Sequence, residues 1–132
     1  MIATASARSS GAVRHHGADE IIDYTSELVA SAIEPVDVLI HLVGTPPPWT
    51  PPVRRGGTII SAAAPVPAPP GVTSTHVVVR YDAAQLTELV RLVDMGEVTV
   101  DIAETHTVNG RADVHRRSEA GDVRGKVVIQ PR

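Results

Sequence analysis

The sequence contains no cysteine, no phenylalanine, one tryptophan (Trp49) and two tyrosines (Tyr24 and Tyr81). Without cysteine there is no disulfide, no thiol nucleophile and no thiolate metal site. With aromatics at 2% of residues, the core has to be built from Ala, Val, Ile and Leu. Each large aromatic buries ~150–250 Å², so a 132-residue chain without them is expected to be marginally stable. No apolar run approaches the ~18 residues of a membrane span. The start shows neither the basic region nor the apolar core of a signal peptide, and a soluble cytoplasmic protein is expected. Charge of one sign is also lacking. The net charge is -3 with acids and bases interspersed, which suggests neither nucleic acid nor a membrane as partner.

Chemical motifs are scarce as well. The ten glycines include no G-x-G, so no glycine loop for cradling phosphates is present, and G-x-S-x-G is absent too. Six histidines occur, but His41, His76, His106 and His115 lack H-x-x-x-H or H-E-x-x-H spacing. His15 and His16 are adjacent, and neighbours on a helix point ~100° apart. No metal site and no zinc are expected, and no residue stands out as catalytic. His41 interrupts an apolar run. A satisfied core or strand-end histidine is the simplest reading, and a general acid–base role the sharper one. The pairs Arg54-Arg55 and Arg116-Arg117 read as solvated surface.

What is present is an alternation of strand and helix periods. Residues 2–4 form a strand pattern, and residues 8–16 a weak helix stopped by Gly17. Residues 20–24 (EIIDY) form a second strand. Thr25 can cap a helix carrying Leu28, Val29, Ala32 and Ile33, ended by Pro35. Residues 36–43 (VDVLIHLV) read as a strand buried on both faces, and residues 57–63 (GTIISAA) as another. Residues 76–81 (HVVVRY) read as a strand. Asp82 caps the clearest helix, with Gln85 three residues on and a stripe of Leu86, Leu89, Val90 and Val93 before Gly96. Residues 111–120 fit a short helix before Gly121, and residues 126–130 a last strand. This order predicts a parallel α/β sheet. Nine of the eleven prolines fall between residues 46 and 70. The stretches 45–55 and 65–71 are therefore expected to be extended or loop-like. A solvent-facing linker is the simpler reading, and a proline-recognition motif the other.

In this order the segments resemble the medium-chain dehydrogenase/reductase superfamily, in its zinc-binding-dehydrogenase or quinone-oxidoreductase-like branch. "IATASARSSGAVRHHGADEIIDY" is similar to the second strand, the next helix and the third strand of that family. "VDVLIHLVG" resembles the fourth strand and "RRGGTIISAAA" the fifth. "VRYDAAQLTELVRLVDMGEV" resembles the linking helix, and "VHRRSEAGDVRGKVVI" the late helix and final strand. The resemblance runs from residue 2 to residue 130 and begins after the first Rossmann strand and its glycine-rich turn. It implies a partial Rossmann fold, with a mostly parallel sheet lacking its first strand. Residues 1–96 would form a truncated cofactor-binding domain. Residues 97–132 would be a helix–strand tail belonging to the catalytic, GroES-like domain.

The resemblance also implies a cofactor and a reaction. The family transfers hydride between NAD(P)H and a carbonyl, alkene or quinone. Ser6 and Arg8 match the end of the second strand, where NAD enzymes tend to place Asp or Glu. Their presence instead points to NADP, with Tyr24 in the same 2′-phosphate pocket. Val43 and Gly44 match the end of the fourth strand, Ser61 the end of the fifth, and Val78 and Val79 the stretch near the nicotinamide. Departures are His41 where relatives often have Asp, Ser118 where a leucine would pack, and prolines where a crossover helix would lie. Without the pyrophosphate loop the cofactor is expected to bind weakly, and the chain is not expected to be active alone. In the order 3-2-1-4-5-6 the first strand is central. Its absence leaves two open edges, which could pair with each other, take a strand from another chain or leave the fold loose. A homo-oligomer or strand exchange is the corresponding partner expectation, and a non-catalytic interaction module the alternative function.

Overall fold

The computed structural model describes residues 1–26, 28–44 and 52–131. The chain divides into two compact units, Met1–Arg80 and Tyr81–Arg132.

In the first unit the chain runs through β1 (Ile2–Ala5), α1 (Ala7–His15), β2 (Glu20–Asp23) and α2 (Val29–Ala32). It continues through β3 (Val36–His41), β4 (Val53–Ser61) and β5 (Thr73–His76). Every strand pairing is parallel. β1 pairs with β2, Ile2 opposite Glu20. β3, β4 and β5 form a separate three-stranded ladder in that order. The Gly17 turn that closes α1 has φ 95, a conformation glycine adopts without the Cβ penalty.

Alternation along β4 places the core. Ile59 and Ser61 are fully buried, while Ile60 between them is partly exposed. Ile59 shares a row with Leu39 and Ser74. The Ser74 hydroxyl donates to the Val66 carbonyl at 2.7 Å, and Val66 is itself buried. The proline-rich connection between β4 and β5 is therefore held against the sheet at Val66. Val66 is the anchored point, whereas Pro65, Pro67, Ala68 and Pro70 around it are exposed, as a solvent-facing linker would be. The stretch 45–51 of the other proline-rich segment lies outside the described residues.

Other expectations need correction. β4 begins at Val53, so Arg54 and Arg55 lie in a strand. Arg54 pairs with Asp37 at 3.0 Å and donates to the Pro35 carbonyl at 3.0 Å. The register shifts between Val36 and Val38, which absorbs the extra length. β3 is not buried on both faces, for Val38 and Ile40 are 53% and 61% exposed. Thr25 caps no helix. Its N–H and hydroxyl both donate to the Asp23 carboxylate, and this local turn competes with helix initiation. α2 is left as one turn starting at Val29. β5 lies at Thr73–His76 rather than 76–81. Finally, β1 and β3 do not pair with each other. Each is held to its own neighbour, and one backbone edge of each stays open.

The second unit contains α3 (Ala83–Asp94), β6 (Ile102–Thr107), α4 (Arg111–Glu119) and β7 (Lys126–Gln130). The Asp82 carboxylate accepts from the Gln85 N–H at 3.0 Å, as an N-cap should. β6, which the sequence pattern did not predict, pairs in parallel with β7. Its alternation is polar (IAETHT), so hydrophobic periodicity carries no signal there. No helix among the described residues is long and apolar enough to cross a membrane.

Candidate functional site

Five parallel strands of the first unit end on residues picked out from the sequence. Ser6 follows β1 directly and is the N-cap of α1. Its carbonyl accepts from the N–H groups of Ser9 and Ser10 at 3.0 and 3.1 Å, and its hydroxyl lies 3.4 Å from that of Ser9. Arg8 is in the first turn of α1, which holds no acidic residue. An arginine and a hydroxyl at a helix N-terminus with no acid form an environment suited to an anion. Tyr24 follows β2 and is largely exposed. Beside it the Thr25 hydroxyl, then the Thr25 backbone N–H, hold the Asp23 carboxyl below the usual carboxylate range.

At the second ladder, Val43 and Gly44 follow β3, Gly44 with φ 81. Ser61 closes β4, and Val78 and Val79 lie just past β5. Val43, Val78 and Val79 are exposed, whereas Ser61 is buried. The Val77 N–H donates to the Ser61 carbonyl at 2.7 Å, which carries the β4–β5 ladder one step further. The predicted residues thus fall in two groups. Ser6, Arg8 and Tyr24 stand at the carboxyl end of the β1–β2 ladder. Val43, Gly44, Ser61, Val78 and Val79 stand at that of the β3–β4–β5 ladder. Open α/β sheets bind ligands at such carboxyl ends.

His41 reads from the sequence as a satisfied core or strand-end histidine, or as a general acid–base group. His41 ends β3 in register with Ser61, and its Nδ1 lies 2.9 Å from the Ser61 hydroxyl. The signal was a polar residue at the end of an apolar run, repeated in the next strand. His76 ends β5 in register with Ser61.

The second unit has a polar cluster of its own. Glu104 accepts from both terminal nitrogens of Arg117, and His106 Nε2 lies 2.7 Å from its Oε2. Arg117, then His106, push the Glu104 carboxyl down to about 2. Arg117 is therefore a cross-link between α4 and β6 rather than solvated surface. Among the described residues no three His, Cys, Asp or Glu side chains are placed to hold a metal ion.

A sequence model described as zinc-binding dehydrogenase matches residues 16–129. The chain is 30% identical to the NADPH-dependent alkenal/one oxidoreductase, chloroplastic, of Arabidopsis thaliana. That match covers 99% of this chain and 33% of the relative. Among solved structures, the quinone oxidoreductase from Coxiella burnetii superposes with a TM-score of 0.78 at 24% identity, over 99% of this chain and 44% of that one. A putative alcohol dehydrogenase from Sinorhizobium meliloti 1021 also superposes at 0.78, with 20% identity, over 99% of this chain and 41% of that one. The chain thus spans less than half the length of these relatives. At such identities the structural matches establish the fold, a partial Rossmann fold with parallel strands.

Proposed function

The chain belongs to the zinc-binding dehydrogenase family, and from that premise we propose that its first unit is the cofactor-holding part of an NADPH-dependent oxidoreductase. The observation that carries this is the placement of Ser6, Arg8, Tyr24, Val43, Gly44, Ser61, Val78 and Val79 at or just past the carboxyl ends of parallel strands. Ser6, Arg8 and Tyr24 take the adenosine 2′-phosphate. Arg8 supplies charge, and the N-terminus of α1 supplies backbone N–H groups. Val43 and Gly44 line the cofactor by backbone and apolar contact, and Val78 and Val79 lie along the nicotinamide. When bound, the dinucleotide supplies a hydride for a carbonyl, alkene or quinone carbon. The 30% identical relative, named as NADPH-dependent, supports the choice of NADPH over NADH.

Residues 97–132 are read as the segment that rejoins a catalytic domain. Binding by this chain is weak, and turnover by this chain alone is not expected. The sequence has no G-x-G to wrap the pyrophosphate, and no residue is assigned to the chemical step. Titration of the chain with NADPH and NADH, followed by nicotinamide fluorescence, tests the reading. NADPH binding at least tenfold tighter than NADH is expected. Arg8→Ala should remove that preference, since a hydrogen bond to a charged group is worth ~1.5–3 kcal/mol, roughly ten- to hundredfold in affinity. Failure to bind NADPH at millimolar concentration overturns it.

A second reading is favoured by the open edges of β1 and β3 and the exposed Val38 and Ile40. It makes the chain a non-catalytic module that pairs with another copy or with a longer relative. Light scattering after size exclusion separates the two. A mass above 13.9 kDa that rises with concentration supports pairing, and a clean monomer with a cooperative melt removes it.

A further inference from the structure

We propose that His41 is a ligand-binding residue whose imidazole Nε2 accepts a hydrogen bond from a ribose hydroxyl of the dinucleotide. It does so at the carboxyl edge of β3, β4 and β5. This inference rests on the cofactor reading above and adds to it a residue that the family resemblance left as a departure.

The Ser61 hydroxyl is fully buried and has three neighbours: the Ala64 carbonyl at 2.5 Å, the Ala64 N–H at 3.3 Å and His41 Nδ1 at 2.9 Å. A hydroxyl has a single hydrogen to donate and two lone pairs. A carbonyl oxygen can only accept, so the Ser61 hydrogen goes to Ala64. The Ser61 oxygen then accepts from the Ala64 N–H and from His41. His41 is therefore the donor to Ser61, and its proton sits on Nδ1. The partner of one ring nitrogen sets the state of the other. In the neutral ring, Nε2 carries a lone pair.

The position of that lone pair gives it a use. His41, Ser61 and His76 are the last residues of three adjacent strands and share one register row. No hydrogen bond to His41 Nε2 is formed by any described residue. The ring is half-buried, so a ligand at this edge would meet an acceptor partly withdrawn from water. An acceptor selects a donor. Phosphate groups of a dinucleotide are acceptors at neutral pH, and an Nε2 lone pair repels them. Ribose hydroxyls donate, rotate to meet the lone pair and still accept from solvent. An aspartate at this position would accept with a full negative charge, and the imidazole does the same without charge.

Two measurements on the intact chain test this. Long-range ¹H–¹⁵N spectra of histidine-labelled protein at neutral pH should show His41 protonated on Nδ1 with Nε2 free. NADPH addition should move the Nε2 resonance. His41→Phe should weaken NADPH binding by about tenfold, the loss expected for one hydrogen bond in a partly buried site. His41→Gln, which keeps an acceptor, should stay within about threefold of the parent. A proton on Nε2 overturns the proposal without any variant having to fold. NADPH binding that leaves the His41 resonances and the His41→Phe affinity unchanged overturns it too, and leaves the cofactor reading standing. Absence of NADPH binding by the parent chain overturns both.

Discussion

Glu104 is held by Arg117 and His106, and its carboxyl is pushed from an ordinary value of 4.5 down to about 2. A carboxyl with a depressed folded value contributes stability that is complete above its unfolded value. That stability is lost as pH falls through the folded one. The window here runs from about 4.5 to about 2. The melting temperature of the parent chain should fall across it. Glu104→Gln should lower the melting temperature at neutral pH, and the gap to the parent should close as pH approaches 2. Thermal melts by circular dichroism at several pH values check this. At the same scale, Ile59 is the largest fully buried side chain. Ile59→Ala should destabilise the first unit by about 2–5 kcal/mol, through lost burial plus the cavity left behind. Denaturant titration measures it. The sequence marked both strands' apolar runs but not which of Ile59 and Ile60 faces inward. That depends on the bulge upstream and on where the proline-rich connection returns.

Of the elements built on local signals, α3, α4 and β7 formed where the sequence placed them, and the helix expected from Thr25 did not. α3 is capped by Asp82 through Gln85, and Asp82→Ala should cost about 1 kcal/mol, with Asp82→Asn close to neutral. Helix content against temperature reads this directly. β7 occupies Lys126–Gln130 as expected, and α4 ends before Gly121, φ 73. Elements that depend on distant partners were placed less well. Residues 53–55, the end of the stretch expected to be extended or loop-like, are strand because β3 lies beside them. Gly57 shows how tight that approach is. An added Cβ there would stand 2.7 Å from the Asp37 carbonyl oxygen and 2.7 Å from a Val53 methyl. Gly57→Ala should cost about 1–3 kcal/mol by overpacking the β3–β4 bulge. A lower denaturation midpoint with unchanged slope is the expected reading.

Within each unit few apolar side chains among the described residues are covered. The buried hydrophobic residues among those described are Ala5, Ala18, Ile22, Ile59 and Val66, all in the first unit. The stripe of Leu86, Leu89, Val90 and Val93 on α3 is exposed, as are Val38 and Ile40 on β3. The chain is therefore expected to melt at low temperature and with low cooperativity. NADPH near saturation should raise the midpoint, because a ligand that binds only the folded state stabilises it by mass action. Differential scanning fluorimetry with NADPH, and with NADH as the control, checks both expectations.

Residue order by itself determined the strand–helix alternation, the helix caps, the glycine turns and the family resemblance. These are set by neighbours a few positions apart, and so are written in local pattern. It also determined the identity of Ser6 and Arg8 after the first strand, on which the proposed preference for NADPH rests. Only the tertiary structure decided the partnerships. It left β1 and β3 in separate ladders, folded the 65–71 stretch onto the sheet at Val66, and joined Arg117 to Glu104 across thirteen residues. It also set His41 against Ser61, twenty residues away in sequence. No local rule links residues so far apart. Their meeting depends on strand register, which brings the ends of β3 and β4 side by side.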